Sequence, residues 1–299
     1  MTENTKYQRR FNKYDNELIE IRRHFHRHPE LGLQEFETSA FIRDYLEKLG
    51  YRLRVVEPTG LIAEHPCQDT DAFAGRKKVV LRAEMDALPI QEQTGLSYTS
   101  ENSGIMHACG HDGILATALV LARILAEEGE KFPVKMRFLF EPAEEIGEGA
   151  KRMLASDALE GKPDAFLMFH YAVDEPFGMA VHEGQASAMI NGMEIRVHGK
   201  SSHWCEASKG IDSIYAASLV VKAFHDLNET YKGKGPCLAG IGTIHGGEYS
   251  NIITDLVTMK GNIRAAYEED YKALDELVKK ALKETSTLTG TRIEMEYPK

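Results

Sequence analysis

The feature that most constrains the fold of this chain is the alternation of short apolar runs with helix-period segments over its first 184 residues. The apolar runs at 77–86, 134–140 and 164–170 have the length of strands. Segments with apolar residues at helical spacing, such as 114–128, lie between them. Strands that alternate with helices are typical of a parallel sheet with helices on both faces. We therefore predict an α/β domain with a doubly wound, largely parallel sheet over residues 1–184.

The pattern changes after about residue 184, where alternating apolar residues become common. The predicted elements are, in order, a strand at 186–199, a helix at 210–231, strands at 236–245 and 256–266, a helix at 268–288 and a strand at 291–297. The order β-α-β-β-α-β is the signature of a ferredoxin-like α+β domain. We therefore predict a second domain of this fold over residues 185–299.

Composition and charge exclude several classes of function. The net charge is −10 and the chain has no basic run interleaved with aromatic residues, which argues against a nucleic-acid partner. The longest apolar stretch, 114–126, contains Arg123 and is too short to span a membrane. Four scattered cysteines without a C-x-x-C pair argue against a disulfide framework. Because the N-terminus is also polar, we expect a reducing cytoplasm rather than export.

The first chemical cluster is His107-Ala-Cys109-Gly-His111-Asp112, which stands shortly before a predicted helix. A thiol and an imidazole two residues apart in a turn can point at one ion, and both are ligands of zinc-like metals. A helix N-terminus also favours the thiolate form. The alternative is a buried structural cysteine beside a polar turn.

The second cluster, Glu141-Pro-Ala-Glu144-Glu145, follows the apolar run at 134–140. Adjacent carboxylates diverge, so that one can bind a metal while its neighbour holds a water, as a hydrolase requires. The alternative is a solvated helix start, because acidic residues favour helix N-termini. His170 closes the run at 164–170, where a lone histidine is commonly a core residue. The agreement of three strand or turn ends favours one metal site at one edge of the sheet.

Eight ordered segments carry a resemblance to a known family. They are His28-Pro-Glu-Leu-Gly-Leu-Gln-Glu35, Arg82-Ala-Glu-Met-Asp-Ala-Leu-Pro89, His107-Ala-Cys-Gly-His-Asp112, Glu141-Pro-Ala-Glu-Glu145, Gly199-Lys-Ser-Ser-His203, Gly210-Ile-Asp212, Gly246-Gly247 with Asn251, and Gly261-Asn-Ile-Arg264. Together they resemble the dinuclear metallopeptidase family that contains aminoacylases and glutamate carboxypeptidases. The subgroup that they resemble most is the amidohydrolases of hippurate and of indole-acetyl-amino-acid conjugates.

The resemblance implies a centre of two divalent metal ions, zinc, manganese or cobalt, with Glu144 as general base and acid and Asp86 as a supporting residue. The implied metal ligands are Cys109, His111, Glu145 and His170. It further implies that the second domain is a lid that also forms a homodimer. His203 would then reach the active site of the partner subunit and stabilise the oxyanion, and Asn251 and Arg264 would bind the substrate carboxylate.

The chain departs from the family pattern in three respects. Glu84 stands where the subgroup usually has Asp, and Ile114 replaces a histidine that usually follows the His107–Asp112 motif. Family members also return to the catalytic domain after the lid and add a last metal-ligand histidine. We therefore expect an incomplete catalytic domain, with an exposed sheet edge and only four protein ligands, a small number for two metals.

These observations predict a metal-dependent amidohydrolase that cleaves the amide bond of N-acyl amino acids or similar small amides. A dipeptidase or carboxypeptidase of the same family is the alternative within this class. An alternative of another class is a non-catalytic truncated remnant or fragment that retains the dimerisation domain. The expected partners are a small N-acyl amino acid or peptide-like substrate and a second copy of the chain, with no nucleic acid and no membrane.

Overall fold

The structure, a computed structural model, describes residues 12–172, 178 and 188–298. The chain divides into two compact units, Met1–Pro176 and Phe177–Lys299. The domain boundary that we predicted, between residues 184 and 185, lies outside the described residues. No helix in the described part of the chain is long and apolar enough to cross a membrane.

The first unit contains a five-stranded sheet and four α-helices. The elements in chain order are α1 (Asp15–Arg27), α2 (Phe36–Lys48), β1 (Arg52–Val56), β2 (Gly60–Glu64), β3 (Lys78–Glu84), α3 (His111–Glu128), β4 (Lys135–Glu141), α4 (Gly149–Ala155) and β5 (Ala165–Leu167). The strand order is β1-β2-β4-β3-β5. β3 pairs in parallel with both β4 and β5, whereas β1 and β2 are antiparallel. The α/β class is confirmed, and the parallel part of the sheet comprises three strands.

Helices cover both faces of this sheet, as a doubly wound fold requires. Successive residues of a strand point to opposite faces. Leu81 and Phe138 therefore pack with the apolar stripes of α1, α2 and α3. Val80 and Leu139 point the other way and pack with Met153 of α4. At the edge of the sheet, the apolar side chains of β5 are exposed.

The carboxyl ends of β3 and β4 and the start of α3 bring three polar segments to one end of the sheet. α3 begins at His111, three residues before the predicted start at 114. The reason is Gly110, whose φ of 83° lies in the left-handed region that glycine adopts readily, so that the chain turns there. The Asp112 carboxylate then accepts the Gly113 N–H in the first turn of α3.

The second unit contains a four-stranded antiparallel sheet and two long helices. The elements are β6 (Met189–His198), β7 (Ser202–His203), α5 (Ser213–Thr230), β8 (Cys237–Gly246), β9 (Ile252–Ile253), β10 (Leu256–Ala265), α6 (Glu268–Thr289) and β11 (Arg292–Glu296). The sheet order is β11-β6-β10-β8, and β7 pairs with β9 separately. Apart from that short pair, the order β-α-β-β-α-β is the predicted one. α5 begins at Ser213 rather than at 210 because the Asp212 carboxylate accepts two N–H groups of its first turn.

Both helices of the second unit pack on one face of its sheet. Val220 and Phe224 of α5 and Val278 of α6 are buried against Ile195 and Met259 of the central strands. The opposite face is polar, where Arg196 pairs with Glu194 and Glu296. A sheet with one apolar and one polar face is typical of an antiparallel α+β domain.

We predict that Glu127 contributes to the acid stability of the first unit. Its carboxylate accepts hydrogen bonds from Lys13, Tyr14 and Arg123, which lower the pKa of Glu127 to about 2. Because the folded pKa lies below the unfolded value, this stabilisation is complete above about pH 5 and disappears as the pH falls towards 2. Glu127→Gln should therefore cost about 1 kcal/mol at pH 7 and almost nothing near pH 2.

Urea denaturation between pH 2 and pH 7 measures this difference. Glu20→Gln, which removes an exposed carboxylate of α1 outside the network, is the matched control. A constant difference between wild type and Glu127→Gln across the pH range would contradict the prediction.

Candidate metal centre

One end of the first sheet brings together all four predicted metal ligands and Glu144. The Cys109 Sγ lies 3.2 Å from the His170 Nε2. The His111 Nε2 lies 3.9 Å from a carboxylate oxygen of Glu144 and 3.9 Å from one of Glu145. The ligand atoms of Cys109, His111 and His170 lie within 4.8 Å of one another, and so do those of His111, Glu144 and Glu145. Two potential metal-binding groups therefore share His111.

Hydrogen bonds orient both histidines towards this centre. The Nδ1 of buried His111 lies 2.8 Å from the backbone carbonyl of Asp86, to which it donates as the protonated nitrogen. The Nδ1 of His170 lies 2.9 Å from the carbonyl of Tyr171. In each ring the Nε2 is left as the lone-pair donor that faces the centre, and this is the usual arrangement of metal-binding histidines.

The chemistry of these residues fits divalent metal ions. The His111 Nε2 and one carboxylate oxygen of Glu145 are buried and have no hydrogen-bond partner. Buried polar atoms without a partner are costly, and an ion between them would satisfy both. A thiol, two imidazoles and a carboxylate are also the donor set that zinc and its neighbours prefer. Cys109, His111, Glu145 and His170 would hold the metal ions.

Asp86 lies where a supporting residue would be needed. Its backbone carbonyl binds His111, and one oxygen of its carboxylate accepts the Glu145 N–H at 3.0 Å. Asp86 is almost fully buried, so these contacts are shielded from water. Asp86 thus contacts two of the candidate ligands. It belongs to neither of the two potential metal-binding groups.

Arg82 is a residue of the site whose role the sequence did not predict. It forms ion pairs with Glu84 and Glu141, and its guanidinium lies 3.9 Å from a Glu144 carboxylate oxygen. Burial raises the pKa of Glu144, and the charge of Arg82 opposes this rise. The sequence feature that could have predicted this role is a charged residue inside the apolar run of β3. An arginine in such a strand needs buried carboxylates as partners.

The protonation of Cys109 differs from our expectation. Burial, followed by the neighbouring charge of Glu145, raises the pKa of the Cys109 thiol to about 12. Desolvation and the neighbouring carboxylates therefore outweigh the N-terminus of α3, which favours the thiolate. A divalent cation in contact with the sulfur would reverse this balance, because a coordinating thiol is deprotonated.

In the second unit, the structure brings together two of the three remaining predicted residues. The Asn251 side-chain nitrogen lies 3.2 Å from the His203 Nε2, and pairing of β7 with β9 holds the two segments side by side. Arg264 lies near the far end of β10, where its Nε donates to the Asn262 side chain at 3.0 Å. All three side chains are exposed.

Comparison with known proteins identifies the family. The model for peptidase family M20/M25/M40 matches residues 80–296. The chain belongs to this family. It is 33% identical to the N-acetylcysteine deacetylase of Bacillus subtilis, over 95% of this chain and 74% of that protein. It is 34% identical to the hippurate hydrolase of Campylobacter jejuni, over 89% of this chain and 69% of that protein.

A solved structure extends the comparison to the metal centre. A dinuclear metal-binding peptidase of family M20 from Bacillus subtilis superposes with a TM-score of 0.77 and 32% identity, over 95% of this chain and 74% of that chain. These similarities confirm the predicted family, whose members here are hydrolases and peptidases, and the Bacillus subtilis neighbour is a dinuclear metal-binding peptidase, in agreement with the predicted centre of two divalent ions. The family members in this comparison are longer than the present chain.

We predict that His170 is needed for full metal loading. Wild-type protein purified without chelator should carry about two equivalents of zinc, manganese or cobalt, and His170→Ala at most about one, because the variant lacks an imidazole ligand. Since His170 is exposed, the variant should fold. Elemental analysis after gel filtration measures the content.

His225→Ala, which removes an exposed histidine of α5, is the control and should carry as much metal as wild type. Two equivalents in His170→Ala would show that His170 is not a ligand.

Proposed function

We propose that the protein hydrolyses the amide bond of N-acyl amino acids or related small amides, with Glu144 as general base and acid. The observation that carries this proposal is the different exposure of two adjacent carboxylates. The Glu145 side chain is 19% exposed, whereas that of Glu144 is 37% exposed, although both lie 3.9 Å from the same nitrogen of His111. Glu145 is thus the less exposed of the two carboxylates, and Glu144 is the more accessible to a substrate.

In this mechanism the protein's residues position the substrate and move one proton. When bound, divalent cations would lower the pKa of the attacking water and offset the charge that develops on the amide oxygen. Glu144 accepts the proton of the attacking water and delivers it to the leaving amine nitrogen. Arg82, 3.9 Å from Glu144, favours the ionised carboxylate that accepts the proton. Cys109, His111, Glu145 and His170 would hold the cations in place.

The second unit would supply the substrate contacts. Asn251 and Arg264 offer neutral and charged N–H donors, which are suited to the carboxylate of an amino-acid product. His203 would stabilise the oxyanion in the active site of the partner subunit, and its exposure is compatible with a contact to another chain. The names of the relatives, a deacetylase and a hippurate hydrolase, support an acyl group on an amino acid.

A dipeptidase or carboxypeptidase activity is the alternative, and the peptidase named among the solved structures supports it. The substrates of the two activities differ only in the acyl group. Turnover of N-acetyl amino acids and hippurate should therefore be compared with turnover of dipeptides. Absence of turnover on both, in protein that carries both metals, would favour the non-catalytic alternative.

Free thiols at Cys67, Cys109, Cys205 and Cys237 support our expectation of a cytoplasmic protein.

A second copy of the chain is the proposed partner of the second unit. β8 lies at one edge of the sheet, with its outer backbone groups available for pairing. Beside it, Ile214 and Val221 of α5 and Ile244 of β8 are large apolar residues that are 41–49% exposed. An open strand beside exposed apolar side chains is suited to a two-fold contact in which β8 pairs with its symmetry mate.

We predict that Val221→Lys separates this dimer. The wild-type chain should sediment at about twice 33.5 kDa, and the variant at the mass of one chain, because the contact would bury two unpaired charges. Leu288→Lys places the same charge on α6 at a residue that is 73% exposed and should not change the mass. A wild-type chain that sediments as a monomer at micromolar concentration would contradict the prediction.

We predict that Glu144→Gln lowers kcat on the best N-acyl substrate by at least about 100-fold. The amide cannot accept the proton, but it preserves the shape of the side chain, so that metal content should be unchanged. Glu148→Gln, in the same loop and with a side chain that pairs with Lys151, is the matched control. Amine release under initial-rate conditions measures both, and full activity of Glu144→Gln would refute the assignment.

A further inference from the structure

The loop that carries Glu144 is held on both sides by buried carboxylates. The Ala143 N–H donates to a Glu35 oxygen at 2.7 Å, and the Glu145 N–H donates to an Asp86 oxygen at 3.0 Å. Both acceptors are almost fully buried, with 0% and 1% exposure. Buried acceptors leave these N–H groups no competing water, so the residues on either side of Glu144 are held in place.

Ala143 needs such a restraint because its backbone is strained. Its φ of 52° lies in the left-handed region, which costs a residue with a Cβ about 1–2 kcal/mol. Strained conformations persist only when the surrounding structure imposes them. The direction of the Glu144 side chain follows from this conformation, because Ala143 is the residue that turns the chain after β4.

Glu35 is free to act on this loop because another residue caps its helix. Glu35 is the N-cap residue of α2, yet its side chain makes no capping bond. The Glu30 carboxylate accepts the Glu37 and Thr38 N–H groups instead. The Glu35 carboxylate points into the protein, where one oxygen accepts from Ala143 and the other from the Thr59 hydroxyl at 2.6 Å.

The turn that precedes Glu35 also packs directly against the loop. A Cβ on Gly32 would lie 3.0 Å from the Ala143 Cα and 3.3 Å from an Asp86 carboxylate oxygen. The Ala87 N–H donates to the Glu30 carbonyl at 2.8 Å, which fixes the same turn to the segment after β3. Segment 28–35 is therefore a rigid support for Asp86 and Ala143 together.

We propose that Glu35 is a positioning residue for Glu144: by accepting the Ala143 N–H, it holds Ala143 in the left-handed conformation and directs the Glu144 carboxylate to the substrate. This inference rests on the proposed role of Glu144 as general base. Glu35 touches neither substrate nor metal ligands, and it acts through one backbone hydrogen bond.

Two substitutions distinguish the effect of the length of the Glu35 side chain from the effect of its charge. Glu35→Asp keeps the charge, but its side chain is one methylene shorter. It should therefore lose the hydrogen bond from the Ala143 N–H. Glu35→Gln removes the charge but keeps an oxygen that accepts from Ala143 and an NH₂ group that can donate to the Thr59 oxygen. Glu30→Asp shortens the neighbouring carboxylate equally and weakens the cap of α2, but it keeps the Glu30 carbonyl that binds Ala87 and the Ala143–Glu35 hydrogen bond, and is the matched control.

Hydrogen exchange of a peptide that covers 141–149 is measured together with kcat, KM and metal content on the metal-loaded protein. Glu35→Asp should speed exchange at least about tenfold and lower kcat at least about tenfold, with KM within about twofold and metal content unchanged. Glu35→Gln should stay within about threefold of wild type in both exchange and kcat. Glu30→Asp should leave the exchange of this peptide unchanged.

Three results would overturn the inference. They are unchanged exchange in Glu35→Asp, faster exchange without loss of kcat, and a Glu35→Gln variant as impaired as Glu35→Asp. Failure of the proposed function is separate, because it would appear as full activity of Glu144→Gln, whereas exchange reports on the loop whether or not Glu144 is the base. Each Glu35 variant therefore tests the hydrogen bond independently of the substrate.

Discussion

The structure of the first unit depends on a concentration of negative charge at one end of its sheet. Glu84, Asp86 and Glu141 are at most 4% exposed, and Glu144 and Glu145 follow in the loop after β4. Arg82 is the cationic side chain that pairs with this group. Carboxylates that are removed from water need opposite charge nearby, and one guanidinium does not balance five of them. The imbalance itself favours cation binding, and two divalent ions, as in the dinuclear peptidase of this family, would offset it.

Repulsion among these carboxylates is a reason for the loop after β4 to be restrained. Like charges repel one another, so the loop after β4 would move outwards unless its backbone were restrained. The restraints include N–H groups that donate to the buried acids Glu35 and Asp86, and the Ala143 carbonyl, which accepts the Gly149 N–H. Gly32 lets the supporting turn approach closely. Beneath this polar layer, Phe138 and Phe140 pack into the apolar core. The rigidity of the site therefore comes from the core through a few directed hydrogen bonds.

The parts of the fold that the sequence predicted are those determined by local pattern. The strands at 134–140 and 256–266 match β4 and β10 within one residue, because continuous or alternating apolar residues allow few other structures. The start of α3 was misplaced because the apolar pattern begins at Ile114, whereas the helix is set by the left-handed Gly110. The contacts of Arg82 and Glu35 were not predictable in this way. They join residues 59 and 108 positions apart, and only the folded chain determines such pairs.

The proposed difference in role between Glu144 and Glu145 follows from these restraints. Adjacent side chains on an extended or turning backbone point in different directions, so two neighbouring carboxylates need no further device to serve different partners. What the fold adds is the choice of which one faces inwards. The Glu145 N–H is drawn towards Asp86, which places its side chain beside buried His111, whereas the strained Ala143 turns Glu144 towards solvent and Arg82. In our proposal, one left-handed alanine and two buried acceptors determine which glutamate binds a metal and which exchanges a proton.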